Sequence, residues 1–281
     1  MFHVKHLFIL TGESTFKAMI LSVINQKGGV GKTTTAINIA AGAAQKGIPT
    51  LLVDLDPQGN ASSGVGIDSV PSISLYEALV AHMENPEDLM RWLPCTQNTG
   101  LENLTLLASN QQLAGAEVEL AAHPERNHLK EVLARLTGQY PLVVIDTPPS
   151  LSVLTINALV AADRLVIPVQ CEYYALEGLG HLLRTLELVK QQLNPRLKVL
   201  GILRTMFDGR LGLGGQVSRE LERHFPQLVF ETLIPRNVRL AEAPSFGKPI
   251  YSYDKRSPGA AAYTKLTEEI LRRLKVEVKH S

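Results

Sequence analysis

The feature that most limits how this chain can fold is the run Lys27-Gly28-Gly29-Val30-Gly31-Lys32-Thr33-Thr34. It lies between an apolar stretch at residues 20–25 and a helical pattern at 33–46. Gly28, Gly29 and Gly31 allow backbone conformations that a β-carbon forbids, so successive N–H groups can approach an anion. A helix starting directly after such a turn aims its positive dipole end at the same anion. Strand, glycine turn and helix in this order are the setting of a phosphate loop. In that setting Lys32 supplies a mobile cation to the β- and γ-phosphates, and the Thr33 hydroxyl is a magnesium ligand. ATP and Mg²⁺ are the expected cofactors, held by residues 27–34.

The rest of the chain continues the alternation. Runs at 50–54, 104–108, 142–146, 164–168 and 199–203 are apolar throughout, as in strands covered on both faces. Helical patterns at 111–122, 128–136, 151–162, 176–193, 215–224 and 258–274 separate or follow them. This predicts an α/β fold of the P-loop type, with a mostly parallel twisted sheet and helices on both faces. Residues 67–99, broken by Pro71, Pro86 and Pro94, read as short helices and loops inserted after the second strand. No repeat or long linker divides the chain, so 19–275 reads as one domain. Residues 1–18 read as an N-terminal extension, disordered or arising from a start codon upstream of a natural start at Met19, and 276–281 as a polar tail. No apolar run approaches the ~18–20 residues of a membrane span. Cys95 and Cys171 are isolated, which suggests a reduced cytoplasmic setting.

Two acidic strand ends complete the phosphate-loop reading. The second strand ends in Asp54-Leu55-Asp56-Pro57-Gln58-Gly59. Spaced by two, the carboxylates of Asp54 and Asp56 are expected on one side at the carboxyl edge, where α/β sheets bind ligands. The run 142–146 ends in Asp146, the Walker B arrangement, where the acid holds Mg²⁺ through water opposite Thr33. Thr147-Pro148-Pro149 follows as a stiff loop near the γ-phosphate. Phosphoryl transfer needs mainly positioning and charge stabilisation, so lysines, magnesium and one water-orienting acid suffice. The eight histidines are scattered and none is assigned a role. The net charge of +1 conceals an asymmetry. Residues 1–195 carry 12 Lys/Arg against 18 Asp/Glu, and residues 196–281 carry 16 against 9. A basic C-terminal third suits a polyanion partner or a solvated surface.

The loop departs from the standard pattern by having Gln26 in place of glycine and an additional lysine, Lys27. In this it resembles the deviant Walker A family, which includes ParA/Soj partition ATPases, MinD division-site ATPases and the nitrogenase iron protein. Residues 168–178 (PVQCEYYALEG), 206–210 (MFDGR) and 234–248 (IPRNVRLAEAPSFGK) are similar to chromosomal ParA/Soj proteins. The resemblance implies a homodimer sandwiching ATP, in which Lys27 reaches the partner's phosphates. Lys27, Lys32 and Asp56 are then catalytic, with Asp56 orienting the attacking water and Asp54 supporting the Mg²⁺ shell beside Thr33 and Asp146. Pro235 and Asn237 would line the adenine pocket. The resemblance further implies non-specific binding of nucleoid DNA and stimulation of hydrolysis by a ParB-type centromere-binding protein. Arg219, Arg223, Arg236, Arg239 and Lys248 are the candidates for DNA contact. A relative that positions a protein cargo, or a MinD-like division-site regulator, would share the ATP site. MinD ends in a membrane-binding helix, whereas here Tyr263, Leu266, Ile270, Leu271 and Leu274 read as core packing. No membrane partner is therefore expected. The iron protein's glycine-flanked cluster cysteines are not matched by Cys95 or Cys171.

The first six residues, Met1-Phe2-His3-Val4-Lys5-His6, have an unusual property. They can be encoded by ATG TTT CAC GTG AAA CAT, which is its own reverse complement. The core of that DNA resembles the centromere-like site bound by ParB, and a palindrome suits a two-fold symmetric helix-turn-helix dimer. The hypothesis is that these codons contain or descend from a partition site. Codon degeneracy allows other DNAs, and the gene's first six codons decide it.

Overall fold

Side chains alternate across the apolar strands, and that alternation divides the core into two layers. The computed structural model of the protein describes residues 18–68, 73–85, 95–123, 125–210 and 212–275. Residues 1–17, with their codon palindrome, and the tail at 276–281 lie outside the described residues. The strands are β1 (Met19–Val23), β2 (Thr50–Asp54), β3 (Thr96–Asn98), β4 (Leu104–Leu107), β5 (Leu142–Asp146), β6 (Arg164–Gln170) and β7 (Lys198–Thr205). They form a sheet in the order β3-β4-β2-β5-β1-β6-β7. All pairings are parallel except β3 with β4.

Leu52, Val144 and Val166 face one layer, whereas Leu51, Val53, Val143, Ile145, Leu165 and Ile167 face the other. The first layer is built on α1 (Lys32–Gln45), whose alanines let it lie close to the sheet, and on a long C-terminal helix described below. The short α2 (Asn60–Ser63) follows β2. The opposite layer contains α3 (Leu75–Glu84), α4 (Leu113–Ala122), α5 (His128–Leu136) and α6 (Val153–Ala161). It continues over β6 and β7 with α7 (Ala175–Gln192) and α8 (Gly212–His224). Short helices α9 (Val238–Glu242) and α10 (Ile250–Tyr253) lead into α11 (Pro258–Leu274). Ser257 caps α11 by accepting from the Ala260 N–H at 3.1 Å, and Pro258 begins it with a preset φ.

The expected stripe on α11 is core: Tyr263, Leu266, Ile270 and Leu271 are buried, with Leu274 packed at its edge. Truncating such a leucine to alanine costs about 2–5 kcal/mol. Gly42 permits the close crossing of α1 and α11, because a β-carbon there would lie 2.5 Å from the Thr267 hydroxyl.

Three expectations need correction. The first strand ends at Val23, not Asn25, because Ile24 already begins the turn toward the loop. Residues 67–99 do carry a helix, α3, fixed by a capping box between Ser74 and Glu77, but they also carry the edge strand β3, which the reading of short helices and loops did not include. Ala18 does not belong to an extension: it is 8% exposed and packs in the layer of α3–α6.

Candidate functional site

The loop after β1 owes its shape to two left-handed glycines, Gly29 at φ 73° and Gly31 at φ 84°. Side chains rarely tolerate this region, so these positions favour glycine. Buried Val30 anchors the loop, and its carbonyl accepts from the Thr205 hydroxyl at the end of β7 (2.8 Å). Gly31 caps α1, whose first turn presents Thr33 and Thr34 partly exposed. Lys32 is 6% exposed, and its ammonium curls back to the Lys27 carbonyl at 3.3 Å. Burial lowers the Lys32 pKa, while Asp146 and Asp56 act to raise it.

The β2–β5 register sets Asp54 beside Asp146 at adjacent strand ends. Asp54 is fully buried. Its Oδ2 accepts from both the N–H and the hydroxyl of Ser62 at 2.7 Å, and its Oδ1 from the Asp56 N–H at 3.3 Å. Burial pushes its pKa up to about 6, against the pull of the Ser62 donors. Asp56 lies beyond the strand, 8% exposed, and its Oδ1 accepts from the Gln58 N–H at 3.0 Å. Its expected alignment with Asp54 on one strand therefore gives way to a turn, in which the Asp56 carbonyl also accepts from the Ser109 hydroxyl at 2.7 Å.

Asp146 differs from both. It is fully buried, and neither carboxylate oxygen has a hydrogen-bond partner. Burial drives its pKa well above the ordinary carboxylate range and Asp54 adds to this, whereas the Thr33 hydroxyl and Lys32 act in the opposite direction. Leaving a buried carboxylate uncompensated is costly, so a cation fits this position. The Thr33 hydroxyl and Asp146 carboxylate are hard oxygen donors of the kind Mg²⁺ takes. Among the described residues no three His, Cys, Asp or Glu side chains converge to hold a metal alone. The site therefore suits Mg²⁺ completed by phosphate and water, its usual mode in nucleotide sites.

Beside the loop opens a mostly apolar cavity of about 350 Å³. Its lining includes Gly31, Thr34, Met206, Pro235, Asn237 and Tyr263. Pro235 and Asn237, the residues expected at the adenine, both line this cavity. The Asn237 side-chain Oδ1 also caps α9 by accepting from the Leu240 N–H at 3.3 Å. Sequence reasoning gave no role to Met206, Thr205 or Ser62. Met206 has φ 48°, a strained backbone of the kind found where a site is being shaped.

All five basic candidates are exposed. Arg239 is neutralised by Glu242 (2.9 Å) and Asp254 (3.5 Å), and Arg223 meets Glu220 at 3.9 Å. Among the described residues Arg219, Arg236 and Lys248 form no ion pair, so they are the better placed for a polyanion. Lys27, Gly28 and Gly29 are also exposed, at the open rim of the loop.

Comparison with known proteins accounts for this geometry. Residues 18–199 match the model of a family described as an AAA domain. The chain is 50% identical over 257 residues to the chromosome partitioning protein ParA of Myxococcus xanthus, covering 90% of this chain and 88% of the relative. It is 52% identical over 258 residues to the chromosome-partitioning ATPase Soj of Thermus thermophilus, covering 92% and 97%. The chain belongs to the ParA/Soj family. Among solved structures, this ParA/Soj chain resembles cobyrinic acid a,c-diamide synthase from Mycobacterium smegmatis with bound ADP and magnesium. That match has 37% identity, covers 92% and 96% of the two chains, and has a TM-score of 0.78. The septum site-determining protein MinD of Pyrococcus horikoshii, complexed with Mg-ADP, shares the fold at 23% identity, with coverage of 94% and 100% and a TM-score of 0.74. No helix among the described residues is long and apolar enough to cross a membrane.

Proposed function

We propose that this protein is a DNA-partition ATPase whose ATP-bound dimer holds nucleoid DNA and releases it on hydrolysis. The observation that carries the reading is the unpartnered Asp146 carboxylate, buried beside Lys32 and the Thr33 hydroxyl at the mouth of a glycine loop. A nucleotide phosphate with a divalent cation satisfies all of these groups together.

ATP and Mg²⁺ are the cofactors. The N–H groups of residues 28–34 and the Lys32 ammonium would hold the phosphates, with Thr33 and Asp146 on the cation. Magnesium supplies charge neutralisation on the phosphate oxygens. Asp54, tied to Ser62, would support the magnesium shell. Asp56 sits on a turn fixed by Gln58 and Ser109, and it orients the attacking water and accepts its proton. Pro235 and Asn237 wall the adenine. Lys27, exposed at the rim, reaches the nucleotide of a second copy. Arg219, Arg236 and Lys248 contribute to the DNA surface, with Arg223 and Arg239 joining once their acid partners are displaced. A ParB-type centromere-binding protein would stimulate hydrolysis.

ATP turnover measured with and without DNA and the ParB-type partner tests this directly. Turnover should be low alone and highest with both. DNA binding by the ATP form should weaken steeply when salt is raised fourfold, because phosphate neutralisation dominates it. Salt-insensitive binding would exclude the electrostatic surface.

A further inference from the structure

Lys27, the lysine that a standard phosphate loop lacks, already has a partner on its own chain. Its ammonium lies 2.5 Å from the Glu172 carboxylate, and both side chains are 48% exposed. The backbones on each side are fixed. The Lys27 N–H donates to the Asn25 carboxamide oxygen (3.0 Å), and the Asn25 amide donates to the Pro168 carbonyl (2.6 Å). The Glu172 N–H donates to the Gln170 carbonyl, and its own carbonyl accepts from Ala175. Only the side chains are therefore free to exchange partners. Next to Glu172, Tyr173 and Tyr174 are 73% and 69% exposed and meet edge to face at 4.9 Å. Adjacent aromatics left in water are the residue type enriched in interface cores, with the charged pair at their rim.

From this geometry we infer that Glu172 is a cis latch on Lys27. In a single copy the carboxylate keeps the ammonium on its own chain. When a second copy docks over Tyr173 and Tyr174, Lys27 exchanges Glu172 for the phosphate oxygens of the partner's nucleotide. The inference rests on the trans role proposed for Lys27 and adds its regulation. Without nucleotide in the partner, the lysine would leave an acid and gain nothing, so the latch opposes dimerisation until ATP is bound. Two-fold symmetry requires two latches to open per dimer. An exposed ion pair contributes a factor of about 1.4–5, so the dimerisation constant carries about 2–25-fold.

Sedimentation of the full chain with Mg²⁺ and a non-hydrolysable ATP analogue tests the latch. Glu172→Gln, which keeps shape and removes charge, should tighten the dimer about 2–25-fold, and Glu172→Ala should act in the same direction. In a Lys27→Gln background Glu172→Gln should change nothing further. An unchanged or weakened dimer for Glu172→Gln, or equal tightening without Lys27, overturns the latch. If Lys27→Gln alone dimerises as tightly as the unaltered chain, the trans role itself fails. That result is distinct from a latch failure, in which Lys27→Gln loses the dimer while Glu172→Gln does not improve it.

Discussion

Among the described residues, two regions bury titratable side chains whose polar atoms all lack a hydrogen-bond partner, and they differ in what surrounds those groups. At the ends of β2 and β5, Asp146 is orphaned among Lys32, Thr33, Asp54 and Asp56. In the layer of α3–α5, His82 and His128 are 7% and 3% exposed, and all four ring nitrogens lack a partner. Their rings meet edge to face at 5.6 Å, with His123 the same distance from His128. Leu79, Leu129 and Val132 belong to the same packed layer. Burial lowers both pKa values. Around Asp146, charges of both signs converge beside a cavity, so a ligand resolves the cost. The histidines also feel charges of both signs, from Arg126, Arg135, Glu125 and Glu131, but burial outweighs them and the imidazoles stay neutral and packed. A buried orphan marks a ligand site only when complementary groups face the same space.

The contrast can be broken in three places, taken from the largest effect to the smallest. Asp56→Ala should lower ATP turnover by about 10²–10⁴, the usual contribution of a positioned base, while nucleotide binding persists. Phosphate release and nucleotide titration on the same sample check it, and a normal rate would remove Asp56 from the chemistry.

The two regions should also respond to pH with opposite sign. Asp54 has a native pKa raised from 3.8 to about 6, so the nucleotide-free native state binds more protons than the unfolded chain between those values. Stability then rises as pH falls through about 6, by at most on the order of 2–3 kcal/mol. Urea unfolding of Asp54→Asn should show that trend flattened; an unchanged slope would place the strain elsewhere. For His82 and His128 the native pKa lies below 6.5, so the unfolded chain binds more protons. Their contribution is complete above pH 6.5 and is lost as pH falls from there toward the lowered native values. His82→Leu should therefore lose less stability on acidification than the unaltered chain, as read from unfolding midpoints between pH 7 and 5. Equal losses would contradict the packed, neutral pair.

Much of the nucleotide end was legible because its signals are local. Glycines and lysines at fixed spacing, with an acid at each strand end, single out residues 27–34, Asp54, Asp56 and Asp146, which the fold brings to one end of the sheet. The doubly covered strands were equally readable from their continuous apolar runs. What escaped depends on distant segments meeting. Met206 comes to the cavity from the end of β7 and Tyr263 from α11, while Ser62 reaches Asp54 from the short helix α2. Three histidines on separate elements look scattered in sequence and form one cluster in space. Strand β3 is three polar residues long, too short to show a period, and only its pairing with β4 makes it a strand.

The central claim is that the loop at 27–34 and the acids facing it form a magnesium-dependent ATP site. Steady-state ATP turnover by the unaltered chain and by Lys32→Ala, with magnesium present and then chelated, tests it most directly. The account predicts turnover that disappears on chelation and falls at least about 10²-fold in Lys32→Ala, the scale of losing one charge-stabilising group. Equal turnover by the two proteins, or turnover indifferent to magnesium, would contradict it.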